Sequence, residues 1–310
     1  MRVSVLDQSP IAEGSTGPEA LRNTIELAEL ADGLGYHRYW VAEHHGGAML
    51  AGPSPEVLIG PIASATKRIR VGSGGVMLPH YSPFKVAESF SLLAGLFPGR
   101  IDLGIGRAPG TDPLTMYALQ RDRRDAAPDD FPQQMAELMG YLNGTLPDDF
   151  PFRHLAQALP GLPEKPEVWL LGSSHQSAVW AEEWGLPYAF ADFIHPNGGD
   201  RADLVCVSAI CAESDEEAER LASSGRMAFS MLRMGRPIPV PPVDKALRFL
   251  ETREPPSGRR AVLGSPATVK RGLEEIAKAY DADEVMVVTI THDHGARLRS
   301  YQLIAEAMIE

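Results

Sequence analysis

Tyr39-Trp40-Val41-Ala42-Glu43-His44-His45-Gly46 decides how this chain is read. An aromatic and aliphatic run goes straight into a carboxylate and two imidazoles, the pattern of a buried strand that ends in a polar cluster. Histidine is the side chain whose charge changes most readily near neutral pH. A pair of them just past the carboxyl end of a strand is where an α/β enzyme places acid–base chemistry. The same residues also read as a structural pair capping a strand end, and on their own they do not choose between the two.

Similar short apolar runs lie to either side, at residues 3–6, 38–42, 69–77, 101–105, 168–171, 188–191, 204–210 and 285–290. Each is bounded by glycine, proline or charge, and continuous apolar runs suit parallel strands covered on both faces. Helical patterns separate them, at 18–34, 55–66, 83–97, 131–142 and 174–184. Later ones are opened by Ser214-Asp215-Glu216-Glu217, by Ser265-Pro266 and by Asp293, all good amino-terminal signals. Eight strands alternating with helices over 310 residues predict one (β/α)8 TIM barrel spanning 1–310, since that fold takes about 250 residues and tolerates insertions. An open doubly wound sheet is the alternative, but the first strand leads to Asp7-Gln8-Ser9-Pro10 and not to a glycine-rich phosphate turn. The long connections 107–166 and 231–263 put insertions after strands 4 and 7, in the manner of lids or substrate loops. The connection 192–202 is too short for a covering helix.

Bulk composition narrows the function. The formal net charge is −12, and no cluster of Lys and Arg offers the basic face that nucleic acid or an anionic membrane would need. The densest basic run, Arg121-Asp122-Arg123-Arg124-Asp125, is interleaved with acids and reads as a solvated loop. No apolar run approaches the roughly 20 residues of a membrane span, and the opening Met1-Arg2-Val3-Ser4-Val5 reads as a strand, not a signal peptide. Cys206 and Cys211 lie five positions apart on an apolar run, so on a strand they face opposite ways and do not pair. Free buried thiols suit a reducing compartment, and a cytoplasmic protein is expected.

In a barrel the site lies at the carboxyl ends of the strands. Three features there converge on a phosphorylated, planar ligand. Gly172-Ser173-Ser174-His175-Gln176-Ser177 turns a strand into a helix whose free N–H groups and hydroxyls can take phosphate, although Ser174 could equally cap the helix. Gly106-Arg107 puts a guanidinium among glycines at another strand end, suited to phosphate or to an internal ion pair. Gly72-Ser73-Gly74-Gly75 marks either a bulge or the close approach of a flat ligand. His292-Asp293-His294 has spacing that could ligate a metal, but no third ligand group accompanies it, and Asp293 serves better as a helix cap. No metal is expected.

Together these residues carry a resemblance. Glu43-His44-His45, Gly72-Ser73-Gly74-Gly75-Val76-Met77-Leu78-Pro79, Gly106-Arg107-Ala108-Pro109-Gly110-Thr111-Asp112, residues 170–177, and the carboxyl-terminal 283–288 with Asp293-His294 and 297–301 look like the bacterial luciferase-like flavin-dependent monooxygenases, nearest the luciferase-family oxidoreductase subgroup. The resemblance implies a barrel using FMN as FMNH2, with O2 activated through a flavin C4a-peroxide and transferred to a small organic substrate. It implies His44 and His45 as catalytic residues. Glu43, Gly74, Gly75, Gly106, Arg107, Gly172, Ser173, Ser174 and Ser177 would line the cofactor, with a non-proline cis peptide at Gly74-Gly75. A separate NAD(P)H:flavin reductase would supply the reduced flavin, and a homodimer is one allowed assembly. Two other readings stay open: F420-dependent hydride transfer on the same barrel, and a non-catalytic flavin-binding protein. The abbreviated 192–202 connection, and His175-Gln176 where relatives carry a small residue and an aromatic, depart from the family pattern.

Overall fold

A computed structural model describes residues 1–107, 112–119, 130–196, 201–252 and 260–309. Eight parallel strands close into a barrel: β1 (Arg2–Asp7), β2 (Arg38–Val41), β3 (Arg70–Met77), β4 (Ile101–Gly106), β5 (Glu167–Gly172), β6 (Tyr188–Ala191), β7 (Leu204–Cys211) and, after one further strand, β9 (Glu284–Val288). Each pairs with the next, β7 pairs with β9, and β9 pairs with β1 to complete the ring. The additional strand β8 (Ala261–Gly264) pairs only with β7. The two halves of β7 have different partners. Its first half, Leu204 to Ser208, runs beside β9, and its second half, Ser208 to Cys211, runs beside β8. The barrel wall therefore divides above Ser208. The eight strands expected from sequence are present, and β8 is the one not foreseen.

The helices begin and end where the local chemistry dictates. Thr16 and Glu19 form a reciprocal capping box at the start of α1 (Gly17–Leu34), and Gly35 closes it in the left-handed region. Prolines open α2 (Pro55–Ala65) and α3 (Pro83–Leu96). The connection from β4 to β5 carries α4 (Pro113–Leu119), α5 (Phe131–Asn143) and a 3-10 turn over Arg153–Ala158. After α6 (His175–Trp184) come α7 (Asp215–Arg233), capped by Ser214, α8 (Val243–Leu250), α9 (Pro266–Ala279) and α10 (His294–Met308), capped by Asp293. Between β6 and β7 no helix occurs among the described residues. Ala108 to Thr111, residues 120–129, Asn197 to Asp200, 253–259 and Glu310 lie outside the described residues. None of the described helices is long and apolar enough to cross a membrane.

Strand periodicity sorts the core into two. Tyr39, Val41, Val71 and Leu103 point outward and pack under the helices with Leu27, Ile59, Phe90 and Leu273. Trp40, Ala42, Leu6, Trp169, Leu204, Cys206 and Met286 point into the barrel. Cys206 and Cys211 fall in different clusters and are both free. Below the indoles lies a layer of charge. Arg38 donates to Asp102 at 2.8 Å and to Glu284 and Glu167 at 3.2 Å each, Arg70 binds Asp102 from the side, and Trp40 Nε1 donates to the same carboxylate at 2.8 Å. Arg38 also stacks on Trp169, 4.6 Å above the ring. Burial of so many charges is tolerable because each carboxylate is met by a cation. The barrel is thus sealed at its amino-terminal end, and its open volume lies at the other.

Candidate functional site

The carboxyl ends of β1 to β6 surround a cavity of about 570 Å3, within the range of roughly 300–1,000 Å3 common for ligand pockets. Leu6, Trp40, Leu204, Cys206 and Met286 form its floor. His44, Met49, Gly74, Gly75, Gly106 and Leu171 form its sides, and Arg107, Gly172, Ser173, Ser174 and Ser177 its rim. A larger hollow of about 630 Å3 opens at the opposite face. Its charged residues are already engaged, Arg2 with Glu284, Arg70 with Asp102 and Arg68 with the Asp32 carbonyl, so nothing there converges on a ligand.

The glycines of β3 and β4 are placed by packing. A Cβ on Gly72 would fall 3.0 Å from Trp40 Cδ1, and one on Gly74 would fall 2.7 Å from Leu6 and 3.1 Å from Trp40 Cβ. Both readings of this segment survive in part. The register between β3 and β4 slips between Gly74 and Val76, which is a bulge, and Gly74 and Gly75 also face the cavity. The Gly74–Gly75 peptide is cis.

Glu43 is fully buried and acts as a clamp. One carboxylate oxygen accepts from the Met77 backbone N–H at 2.9 Å; the other is 3.1 Å from the Tyr81 hydroxyl and 2.7 Å from His45 Nε2. It therefore ties the ends of β2 and β3 together. Burial, followed by the charges of Glu43 and Glu56, pushes the Tyr81 phenol far above its ordinary pKa, so it stays a neutral donor. Burial and then Glu43 also raise the Glu56 carboxyl. The two adjacent histidines part company. His44 lines the cavity, while His45 turns to Glu43 and packs edge-on against His80, with ring centroids 5.7 Å apart.

At the rim, Ser174 occupies the N-cap position of α6, but its hydroxyl makes no capping bond. It lies 3.1 Å from the Ser177 hydroxyl. The amino terminus of α6 and these two hydroxyls thus stand together at the cavity rim, where such an end attracts an anion. Arg107 is exposed, has no carboxylate partner among the described residues, and rests over Trp180 at 5.6 Å. Gly172 keeps the cradle compact, since a Cβ there would meet the Ser177 side chain at 2.3 Å. A cation with no carboxylate partner among the described residues, two serine hydroxyls and a helix amino terminus at the lip of a glycine-walled cavity fit a phosphate-bearing flavin. Ten of the eleven site residues expected from sequence border this one cavity, and His45 supports it from behind. His292 and His294 diverge, one toward the Glu13 carbonyl at 3.1 Å and the other toward Glu26 at 3.5 Å. Asp293 caps α10 by accepting from Ala296 at 2.7 Å. Gln8, at the end of β1 where the site is expected, joins this lining; sequence reasoning missed Trp40 and Trp180, and the alternation of Trp40 with Ala42 carries the signal for the first.

Comparison with known proteins gives the family and the fold. The luciferase-like monooxygenase family model matches residues 1–282. A luciferase-like monooxygenase of Escherichia coli is 40% identical, over 99% of this chain and 97% of that protein. N-acetyl-S-alkylcysteine monooxygenase of Bacillus subtilis is 36% identical, over 100% and 98%. The crystal structure of apo-MsnO8 superposes with a TM-score of 0.88 at 40% identity, covering 99% and 98% of the two chains. More distant barrels share the fold alone. They include the oxygenating component of 3,6-diketocamphane monooxygenase from Pseudomonas putida in complex with FMN (TM-score 0.73, 20% identity, coverage 99% and 97%) and an F420-dependent secondary alcohol dehydrogenase (0.67, 13%, coverage 100% and 99%). The chain belongs to the luciferase-like monooxygenase family and is a flavin-dependent oxidoreductase built on a (β/α)8 barrel.

Proposed function

We propose that residues 1–310 form one catalytic domain that uses reduced FMN and O2 to oxygenate a small organic substrate in the cytoplasm. The observation that carries this reading is Arg107, without a carboxylate partner among the described residues, beside the amino terminus of α6 at the rim of the glycine-walled cavity. Arg107, Ser173, Ser174 and Ser177 hold the phosphate; Gly172 and Gly106 let the backbone come close. Gly74 and Gly75 give a wall without side chains against which a flat ring lies. When bound, reduced FMN supplies the electrons that activate oxygen. His44 manages protons at the cavity wall. Glu43 and His45 position the ends of β2 and β3 around it. Trp40, Leu6 and Met286 keep water from the floor.

β1 ends at Asp7, whose carboxylate is taken by Arg297 at 2.6 Å and by Tyr39, rather than in a dinucleotide-binding turn. That supports delivery of reduced flavin by a separate NAD(P)H:flavin reductase. The test mixes chemically reduced FMN with oxygenated buffer and follows the return of oxidised-flavin absorbance. The wild-type chain is expected to slow that return at least tenfold over free flavin, and His44→Ala to remove most of the effect. Tight FMN binding with no effect on reoxidation would instead mark a flavin-binding protein without oxygenase activity. Tighter binding of F420 than of FMN in a parallel titration would favour hydride transfer.

A further inference from the structure

Where the barrel wall divides above Ser208, a second chamber of about 360 Å3 opens under α7 and shares Gln8, Phe193 and Phe229 with the first. Its walls are mainly apolar, including Ile210, Leu263 and Ile290. Two neutral polar groups face it. Gln8 is only 7% exposed, and its amide meets no hydrogen-bond partner among the described residues. The Ser208 hydroxyl likewise has none there. Ser208 is half-buried, and both side chains keep hydrogen-bonding capacity that a ligand in the chamber can use. Both arginines of the chamber's wall have carboxylate partners. Arg226 pairs with Glu219 at 2.6 Å, and Arg260 grips Asp192 through two bonds. Of the Lys and Arg residues lining the two chambers, Arg107 alone lacks a carboxylate partner among the described residues, and the phosphate takes it.

We propose that the second chamber is the substrate subsite, and that it takes a neutral, mainly apolar molecule with one amide or carbonyl group bonded by Gln8 and Ser208. The inference rests on the flavin reading of the neighbouring cavity. At about 30 Å3 per non-hydrogen atom, the share of a water in the liquid, the chamber holds roughly a dozen such atoms. The reactive end of the molecule passes between Phe193 and Phe229 toward the flavin ring.

The test is calorimetric titration of the full-length chain, with and without saturating FMN, using N-hexylacetamide as probe and hexanoate as its charged counterpart. The amide is expected to bind at least tenfold more tightly than the carboxylate. Ser208→Val should weaken the amide about five- to tenfold, the loss of one hydrogen bond, and Ala222→Phe should abolish its binding by filling the chamber. Both variants should retain wild-type affinity for FMN, because neither residue lines the first cavity. Equal binding of the two probes, no binding of the amide, or indifference to both substitutions overturns the proposal. If the amide behaves as expected while FMN gives no heat, the subsite stands and the flavin reading fails.

Discussion

Replacing Arg107 by alanine isolates the phosphate contact from everything else in the barrel. The guanidinium is exposed, stacks on Trp180 and balances no carboxylate among the described residues, so its removal orphans no buried charge there. Folding stability should move by no more than about 0.5 kcal/mol, as for an ordinary surface substitution. FMN affinity behaves differently. A hydrogen bond to a charged group contributes about 1.5–3 kcal/mol, which at about 1.4 kcal/mol per tenfold is a rise in Kd of roughly ten- to hundredfold. Solvent screening at the rim puts the expected value nearer ten at physiological salt. Fluorescence titration with FMN and with riboflavin, which lacks the phosphate, separates the contributions. Riboflavin should shift less than twofold. Arg107→Lys should fall between, because an ammonium keeps the charge and loses the fork. An FMN Kd within twofold of wild type, or equal losses for FMN and riboflavin, would refute the assignment of this residue.

Gly172→Ala puts a methyl 2.3 Å from the Ser177 side chain; FMN affinity should drop at least tenfold while the far-ultraviolet circular dichroism stays that of the wild type. Gly104→Ala is a stability test, since its Cβ would sit 2.2 Å from the Ser73 carbonyl oxygen and 2.8 Å from Leu171. Overpacking of about 1–3 kcal/mol should lower the thermal midpoint by several degrees, and an unchanged midpoint would contradict the packing described. Acid should unfold the chain from a defined edge. Burial would raise the Asp7 carboxyl, but the charge of Arg297 and bonds from Tyr39, Arg297 and the Ser9 N–H outweigh it and hold it below the usual carboxylate range. For Glu167, likewise, Arg38 and Arg70 overcome burial. Depressed folded-state values give stability that is complete above the unfolded pKa of about 4 and is lost as pH falls through the folded values. The carboxylate contribution to the urea midpoint should therefore stay whole down to about pH 5 and decline below about pH 4, after an earlier loss as His37 and His294, both held below the ordinary imidazole range chiefly by burial, take up protons. A midpoint that rises on acidification would reverse the sign of the argument.

The barrel was legible because its strands are continuous apolar runs and its helices carry clear caps. Ser214 and Asp293 bond their helix starts as their positions imply. Strand β8 was not legible. It pairs on one side only, starts at the exposed Ala261 and follows a Pro- and Gly-rich segment, so no continuous buried run marks it as one marks β2 or β6. The charged floor was missed for a different reason. Arg38, Asp102, Glu167 and Glu284 stand at strand beginnings, where charge ordinarily means solvent, yet each precedes an inward residue by two: Trp40, Gly104, Trp169 and Met286. Reading every strand at period two would have placed all four inside. The glycines of β3 were legible as special positions but not in cause, because their neighbour Trp40 comes from another strand. The pairing of His45 with Glu43, rather than with the cavity, depends on how the chain turns after β2, which residue types alone do not specify.

A crystal structure of the chain soaked with FMN tests the central claim most directly. The account predicts the phosphate among Arg107, Ser173, Ser174 and Ser177, the ring against Gly74–Gly75 with His44 at its edge, and the chamber beside Ser208 still open. Phosphate density elsewhere, or a ring excluded from the cavity floored by Trp40, would contradict it.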